Sequence, residues 1–256
     1  MTTMTTKKFS LLLAVLVTAA AAQAGPGPIG TVKLKGIDPS VYLQKRNHKP
    51  DVSGELRRLP ADVALAVLDD ATAFLVVDDA AYPAGIKGEE RARLRSIEIR
   101  ALLQGALTSL AQREDPRAFG LLQQHLIHDD VAVAALAAER LGEIEDARVV
   151  DTLAALIKDK SVRLDVRAGA CAGLGHHRSE AALEVLLPAL SSSNPPAVRI
   201  AAMRGLASLS SRWAWEAKSD SARGDQLRAR VVPAIEAVAG GADVVAVRNE
   251  TLKMLR

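Results

Sequence analysis

The chain has 256 residues, 49% hydrophobic and 25% charged, with a formal net charge of +3. Only 3% are aromatic, which excludes base or sugar stacking as the main means of binding, and so small a net charge gives no general case for nucleic acid or an anionic membrane surface as partner. The single cysteine, Cys171, rules out an internal disulfide.

Residues 1–24 read as a signal peptide. Lys7 and Lys8 give a positive start, Leu11 to Ala22 is an apolar run of 12 residues, and Ala22-Gln23-Ala24 is the small-x-small pattern of a cleavage site, followed by Gly25-Pro26-Gly27-Pro28. The run is too short to span a bilayer, and the only cysteine is far from the cut, so neither a stable membrane span nor a lipoprotein is expected. The protein is therefore expected to be exported, to a bacterial periplasm or the outside. Cleavage leaves 232 residues and removes two lysines, lowering the formal charge to +1. Residues 25–57 carry Pro, Gly and scattered charge without a sustained period, as an irregular N-terminal segment or partial cap would.

From residue 58 onward the pattern is helical. Ala61 to Val77 and Glu89 to Leu110 form a first pair around the turn Tyr82-Pro83-Ala84-Gly85. Asp115-Pro116 opens the next helix, with Asp as N-cap and Pro at the first helical position, and its partner Val131 to Leu141 ends at Gly142, where a C-terminal glycine belongs. A third pair starts at Asp146 and continues with Asp165 to Leu174 before Gly175. In the fourth, Ser179 caps a helix with Pro188 inside it, and Asn194-Pro195-Pro196 launches Val198 to Leu209. The last pair is Val231 to Val238, a Gly240-Gly241 turn, and Val244 to Leu255.

The second helices share one phrase: a β-branched residue, usually followed by Arg, with Leu eight positions later. Ile99, Val133, Val166, Val198 and Val247 lead to Leu107, Leu141, Leu174, Leu206 and Leu255, at intervals of 34, 33, 32 and 49 residues. A period in the low thirties means stacked units that cannot bury their apolar faces alone. Four residues after each leading residue stand Leu103, Ala137, Ala170, Ala202 and Thr251, mostly small, so that neighbouring helices can approach.

Val166-Arg167-Ala168-Gly169-Ala170, Val198-Arg199-Ile200-Ala201-Ala202 and Val247-Arg248 resemble the second helix of HEAT repeats, in particular the short bacterial HEAT-like units of the phycobilisome lyase type. The resemblance covers about residues 58–256. It implies an all-α fold, a right-handed α-solenoid of about five antiparallel helix pairs with the second helices lining the concave face. The family spans scaffolds, adaptors and a few lyases, so function does not follow from it. It further implies that Arg100, Arg167, Arg199 and Arg248, a series broken by Ala134, form a structural ladder with acids of the inter-helix turns, for which Asp129, Asp130, Asp159 and Asp165 are placed.

Other candidate groups are sparse. Cys171 falls at a position held elsewhere by Gln104, Ala138, Met203 and Leu252, and reads as a core side chain rather than a nucleophile. His125 and His128, with Asp129 or Asp130, are weak candidates for a metal site; His176-His177 belongs to the opposite edge of a stack, roughly 15 Å away. Acid pairs such as Asp69-Asp70 and the arginines Arg91, Arg93 and Arg95 read as solvated charge. No metalloprotease, phosphate-loop or nucleophile-elbow motif occurs, so neither an enzyme nor a cofactor is expected.

The interval of 49 exceeds its predecessor by 17 residues, locating an insertion at about 210–230 that carries Trp213 and Trp215. Insertions project from a solenoid edge and Trp is enriched at hot spots, so both are expected to contact a partner; the bland reading has them covering the core. The apolar last helix, with Val244, Val247, Leu252 and Leu255, predicts modest self-association through the C-terminal repeat. The expected protein is an exported scaffold or adaptor that binds a protein partner through its concave face or its insertion. The alternatives are a lyase-like or chromophore-handling protein and a structural envelope component.

Overall fold

The computed structural model describes residues 61–74, 88–113, 115–211, 215 and 220–255. The expected signal peptide, the 25–57 segment, the turn at 82–85 and Trp213 lie outside the described residues. Those described form helices and no strand. None of these helices is long and apolar enough to cross a membrane.

The chain divides into two compact units, Met1–Ala106 and Leu107–Arg256. In the first, α1 (Ala61–Asp69) buries Val63, Ala64 and Val67 on one face. It stops at Asp70, whose Oδ1 accepts from the backbone N–H and hydroxyl of Thr72 at 2.9 and 2.5 Å, turning the chain into a short 3₁₀ segment, Ala71–Phe74. Helix α2 (Gly88–Ala111) begins with Glu89 and Glu90, which complement the positive end of its dipole, and its last turn passes into the second unit.

The second unit continues with α3 (Ala118–His125), α4 (Val131–Leu141), α5 (Arg148–Lys158), α6 (Leu164–His176), α7 (Glu180–Ala189), α8 (Pro196–Leu209), α9 (Ser221–Glu236) and α10 (Ala242–Leu255). They pack as pairs: α3 on α4, α5 on α6, α7 on α8 and α9 on α10. The recurring stripe makes the core, since Val133, Val166, Val198, Leu141, Leu174, Leu206, Ala137, Ala170 and Ala202 are all buried. The second helices form the tighter layer: α6 packs far more extensively on α4 and α8 than the first helices α5 and α7 pack on each other.

Small residues cause that tightness, and two glycines differ in role from the expectation. Gly142 has φ of −67°, so it is not a left-handed helix stop; a Cβ there would run into the carbonyl of Gly173. Gly175 lies inside α6, where a Cβ would meet Gly205 Cα at 2.5 Å. Both are glycine because a neighbouring backbone occupies the space a side chain would need.

The starts of the first helices also differ. Asp115 does not cap α3 directly: its carboxylate accepts from the Arg117 backbone N–H at 2.9 Å and from the Arg117 guanidinium at 2.9 and 2.8 Å. Asp146 and Arg148 repeat this clasp at the head of α5, with backbone and guanidinium bonds of 2.8, 2.9 and 2.6 Å. The Arg148 guanidinium lies 4.0 Å from the ring centroid of Phe119, joining the α5 head to α3 of the preceding pair. The expected cap forms at Ser179, which accepts from Ala182, and a further one at Asp130, which accepts from Ala132 and Val133. Helix α9 starts ten residues before the expected Val231, because the polar stretch from Ser221 has only Leu227 to mark its buried side. Much of the expected insertion is therefore the longer first helix of the last pair.

Candidate functional site

The arginines that follow the leading valines of the second helices point into the inter-helix turns. Arg167 is buried; its Nε–H donates to the Ile157 carbonyl at 3.1 Å and its Nη2–H to Asn194 Oδ1 of the next pair at 3.1 Å. Arg199 repeats this, donating to the Leu190 carbonyl at 3.1 Å and forward to the Ala239 carbonyl. Arg248 donates to the Val238 carbonyl at 3.0 Å, with its other nitrogens on Asn249 Oδ1 at 3.3 Å. The acceptors are thus carbonyls left over at first-helix ends, and Asn194, rather than the expected aspartates. Asp159 remains near enough to Arg167 to feel its charge, but its carboxyl is held low chiefly by the Ser161 hydroxyl and N–H. Arg163 adds a tie with no counterpart in the expected ladder, donating to the carbonyls of Asp129, at 2.9 Å, and His128. Arg100 lies half-buried in the first unit.

Beside these rungs runs a row of exposed aliphatic side chains. Val131 and Leu164 each stand two residues before the leading valine of their helix and are 36% and 41% exposed. Ile127, in the turn before α4, is 58% exposed. Ile97 occupies the same register position in the first unit and is likewise exposed. On the same helices the small side chains of Ala132, Ala135, Ala168 and Ala172 are partly exposed.

At the other end of the second helices is a groove of about 620 Å³ between the connections 142–147 and 176–179. Its walls are polar. Arg140 pairs with Glu139 at 3.1 Å and with Glu143, while His176 Nε2 lies 3.8 Å from Glu139. His176, and behind it Arg140, hold the Glu139 carboxyl below its ordinary range against the opposing effect of burial. Arg148 holds Asp146 low in the same way, with a smaller contribution from His177.

The expected metal pair is occupied otherwise. His125 and His128 stack with ring centroids 6.0 Å apart, His125 Nδ1 bonds the Leu121 carbonyl at 2.8 Å, and His128 Nδ1 accepts the Asp130 N–H at 3.0 Å. That last bond places the proton of neutral His128 on Nε2, leaving no lone pair for a metal. Burial lowers the His125 pKa, with His128 adding to the effect and the Leu121 carbonyl opposing it. Among the described residues no group of three or more His, Cys, Asp or Glu is placed to hold a metal ion.

Trp215 is also corrected. It is 7% exposed, and its indole N–H donates to the Leu209 carbonyl at 2.7 Å, so it closes the end of α8 instead of facing a partner. Cys171 is fully buried and its thiol is pushed up to about 12 by burial, so it supplies no thiolate. On α10, Val244, Leu252 and Leu255 are buried in their own unit, which leaves Met254, 75% exposed, as the large apolar residue on its surface. Of the stripe expected to drive self-association, these three thus face the core, and Val247 is half-buried.

These features fall on one repeated unit: paired helices, a guanidinium rung into each inter-helix turn, and a layer of closely packed second helices. Residues 163–223 match the family profile for HEAT repeats. That span holds α6, α7, α8 and the first residues of α9, with the HEAT rungs Arg167 and Arg199 inside it. No curated protein and no solved structure matches the chain. Residues 163–223 thus carry HEAT repeats within a chain whose described residues are helical; both clasps lie outside the matched span, and of the aliphatic row only Leu164 lies inside it. Clasps and row were missed from sequence, although the alignment that gives the leading valines also places Ile97, Val131 and Leu164 in one column.

Proposed function

We propose that the protein is an exported HEAT-repeat scaffold that holds a protein partner against the exposed face of its second helices, and that it is not an enzyme. The observation that carries this is the aliphatic row: Val131 and Leu164 are solvent-exposed at the same register position, with Ile127 beside them. Apolar side chains repeated at one position of a stack, flanked by rungs that fix their spacing, suit a partner that is read once per repeat. The tighter packing of the second helices supports curvature toward that layer, which makes its outer surface concave. Export rests on the positive start, apolar run and Ala-Gln-Ala site of residues 1–24.

The test is affinity capture from the cell envelope with residues 25–256, run beside a Val131→Glu/Leu164→Glu variant. Both positions are exposed, so the variant keeps its fold. Selective loss of partners is expected; an unchanged partner set defeats the proposal. A visible absorption band in the purified protein would favour a chromophore-handling protein instead.

A further inference from the structure

We infer that the partner segment held on the aliphatic row is basic, with lysine or arginine set between its aliphatic side chains. The inference rests on the reading of that row as a docking face. In the four second helices of the second unit, the position two before the leading valine is apolar every time: Val131 in α4, Leu164 in α6, Pro196 in α8 and Val245 in α10. The first three are exposed and Val245 is half-buried. This column selects an apolar partner and leaves the sign of the partner's charge to the residues beside it.

Those neighbours are aspartates. Asp165 follows Leu164 directly, while Asp129 and Asp243 stand two residues before Val131 and Val245, at one and the same position of their repeats. All three are exposed, and among the described residues none of their carboxylates has a hydrogen bond or an ion pair. The rungs that would have consumed such acids end on the carbonyls of Ile157, Leu190 and Val238 instead. Cations of the same edge are engaged or set apart. Arg167 and Arg199 are buried, and Arg163 donates to the Asp129 and His128 carbonyls. Lys158 and Lys160 stand at the α5 end of the turn that leads into α6. A segment whose aliphatic side chains lie on the row thus brings the residues between them beside free carboxylates. Lysine or arginine there gains an ion pair, whereas glutamate or aspartate sets like charges together.

Fluorescence anisotropy of the full mature chain with three synthetic peptides of equal length, alternating Leu-Lys, Leu-Glu and Ser-Lys, tests this. The Leu-Lys peptide is expected to bind roughly tenfold more tightly than Leu-Glu, as three exposed ion pairs of modest strength together give, and the margin should shrink at high salt. Asp129→Asn/Asp165→Asn/Asp243→Asn is expected to erase the preference, and the same three positions changed to Lys to reverse it; all three are on the surface. Equal binding of the two leucine peptides, both weakened by Val131→Ser/Leu164→Ser, overturns the inference and leaves the row as a docking face. Leucine peptides that bind no better than Ser-Lys, or whose binding ignores Val131→Ser/Leu164→Ser, overturn the row and the inference with it. Failure of Leu-Lys to bind at all overturns the inference, and the envelope capture then judges the row alone.

Discussion

Gly205→Ala places a methyl group where the structure puts a backbone oxygen. The new Cβ would lie 2.5 Å from the Cys171 carbonyl oxygen and 3.4 Å from Leu186 Cδ1. Non-bonded atoms settle at about 3.5 to 4 Å, so α8 and α6 would have to part by on the order of 1 Å. The separation cannot stay local, because Met203 and Leu206 are fully buried in α8 on either side of Gly205. Overpacking of this kind costs about 1–3 kcal/mol, which outweighs the up to about 1 kcal/mol that alanine gains over glycine in a helix. Gly120→Ala is the control, since Gly120 is also helical but has nothing within 4 Å of its Cβ position. That change is expected to stabilise by about 0.5–1 kcal/mol through helix propensity alone. The two midpoints in a thermal melt followed by circular dichroism should therefore differ by on the order of 5–10 °C, with opposite signs relative to the parent. If Gly205→Ala stabilises as much as Gly120→Ala, the close approach of α6 and α8 is wrong, and the account of the tight second-helix layer goes with it.

Arg199→Met keeps the aliphatic stem but strips the Leu190 and Ala239 carbonyls of their donor; urea unfolding should show a loss of about 2–3 kcal/mol, against well under that for Arg248→Met, whose guanidinium is only part-buried. Equal losses at the two positions would contradict the forward rung. Trp215→Phe, which removes the N–H bonded to Leu209 at 2.7 Å, should cost about 1 kcal/mol in the same assay, and a neutral result would mean that this bond does not close α8. The folded-state pKa of His125 lies below its ordinary value of 6.5, so its neutral form is the folded one and stability is lost as pH falls below 6.5 toward the folded pKa. His125→Gln should therefore lose less stability than the parent between about pH 7.5 and about pH 5, and an unchanged pH slope would remove His125 as its source.

The second helices were legible because their signal is both periodic and buried. A leading valine, a small residue four on and a leucine eight on lie on one side of a helix, and that side is the core. Helix α9 was legible only from Val231 because its first turns carry Arg, Asp, Gln and Arg outward and one leucine inward, which is too little apolar material to set a period. Acceptors of the arginine rungs were hidden for a different reason. A carbonyl at a helix end belongs to any residue type, so Ile157, Leu190 and Val238 give no sign of their role, whereas aspartates nearby are conspicuous and drew the expectation toward themselves.

The glycines and Trp215 show the same ambiguity in sharper form. A glycine after a leucine at the end of a helix satisfies either a left-handed stop or a close neighbour, and only the position of the next repeat decides between them. Gly142 and Gly175 were decided by Gly173 and Gly205, residues some thirty positions further on. Trp215 has an apolar body and one donor, which suits an interface or a helix end equally; the free Leu209 carbonyl beside it selects the second. The surface row, missed from sequence, follows from the reverse logic. An apolar residue that recurs in register yet cannot be part of the core stripe must face out, and Val131 and Leu164 do. In a repeat protein the informative comparison is therefore between columns of the repeat, not along the chain. The columns that keep small residues mark where helices touch. The column that keeps aliphatic residues outside the core marks where a partner is expected to bind.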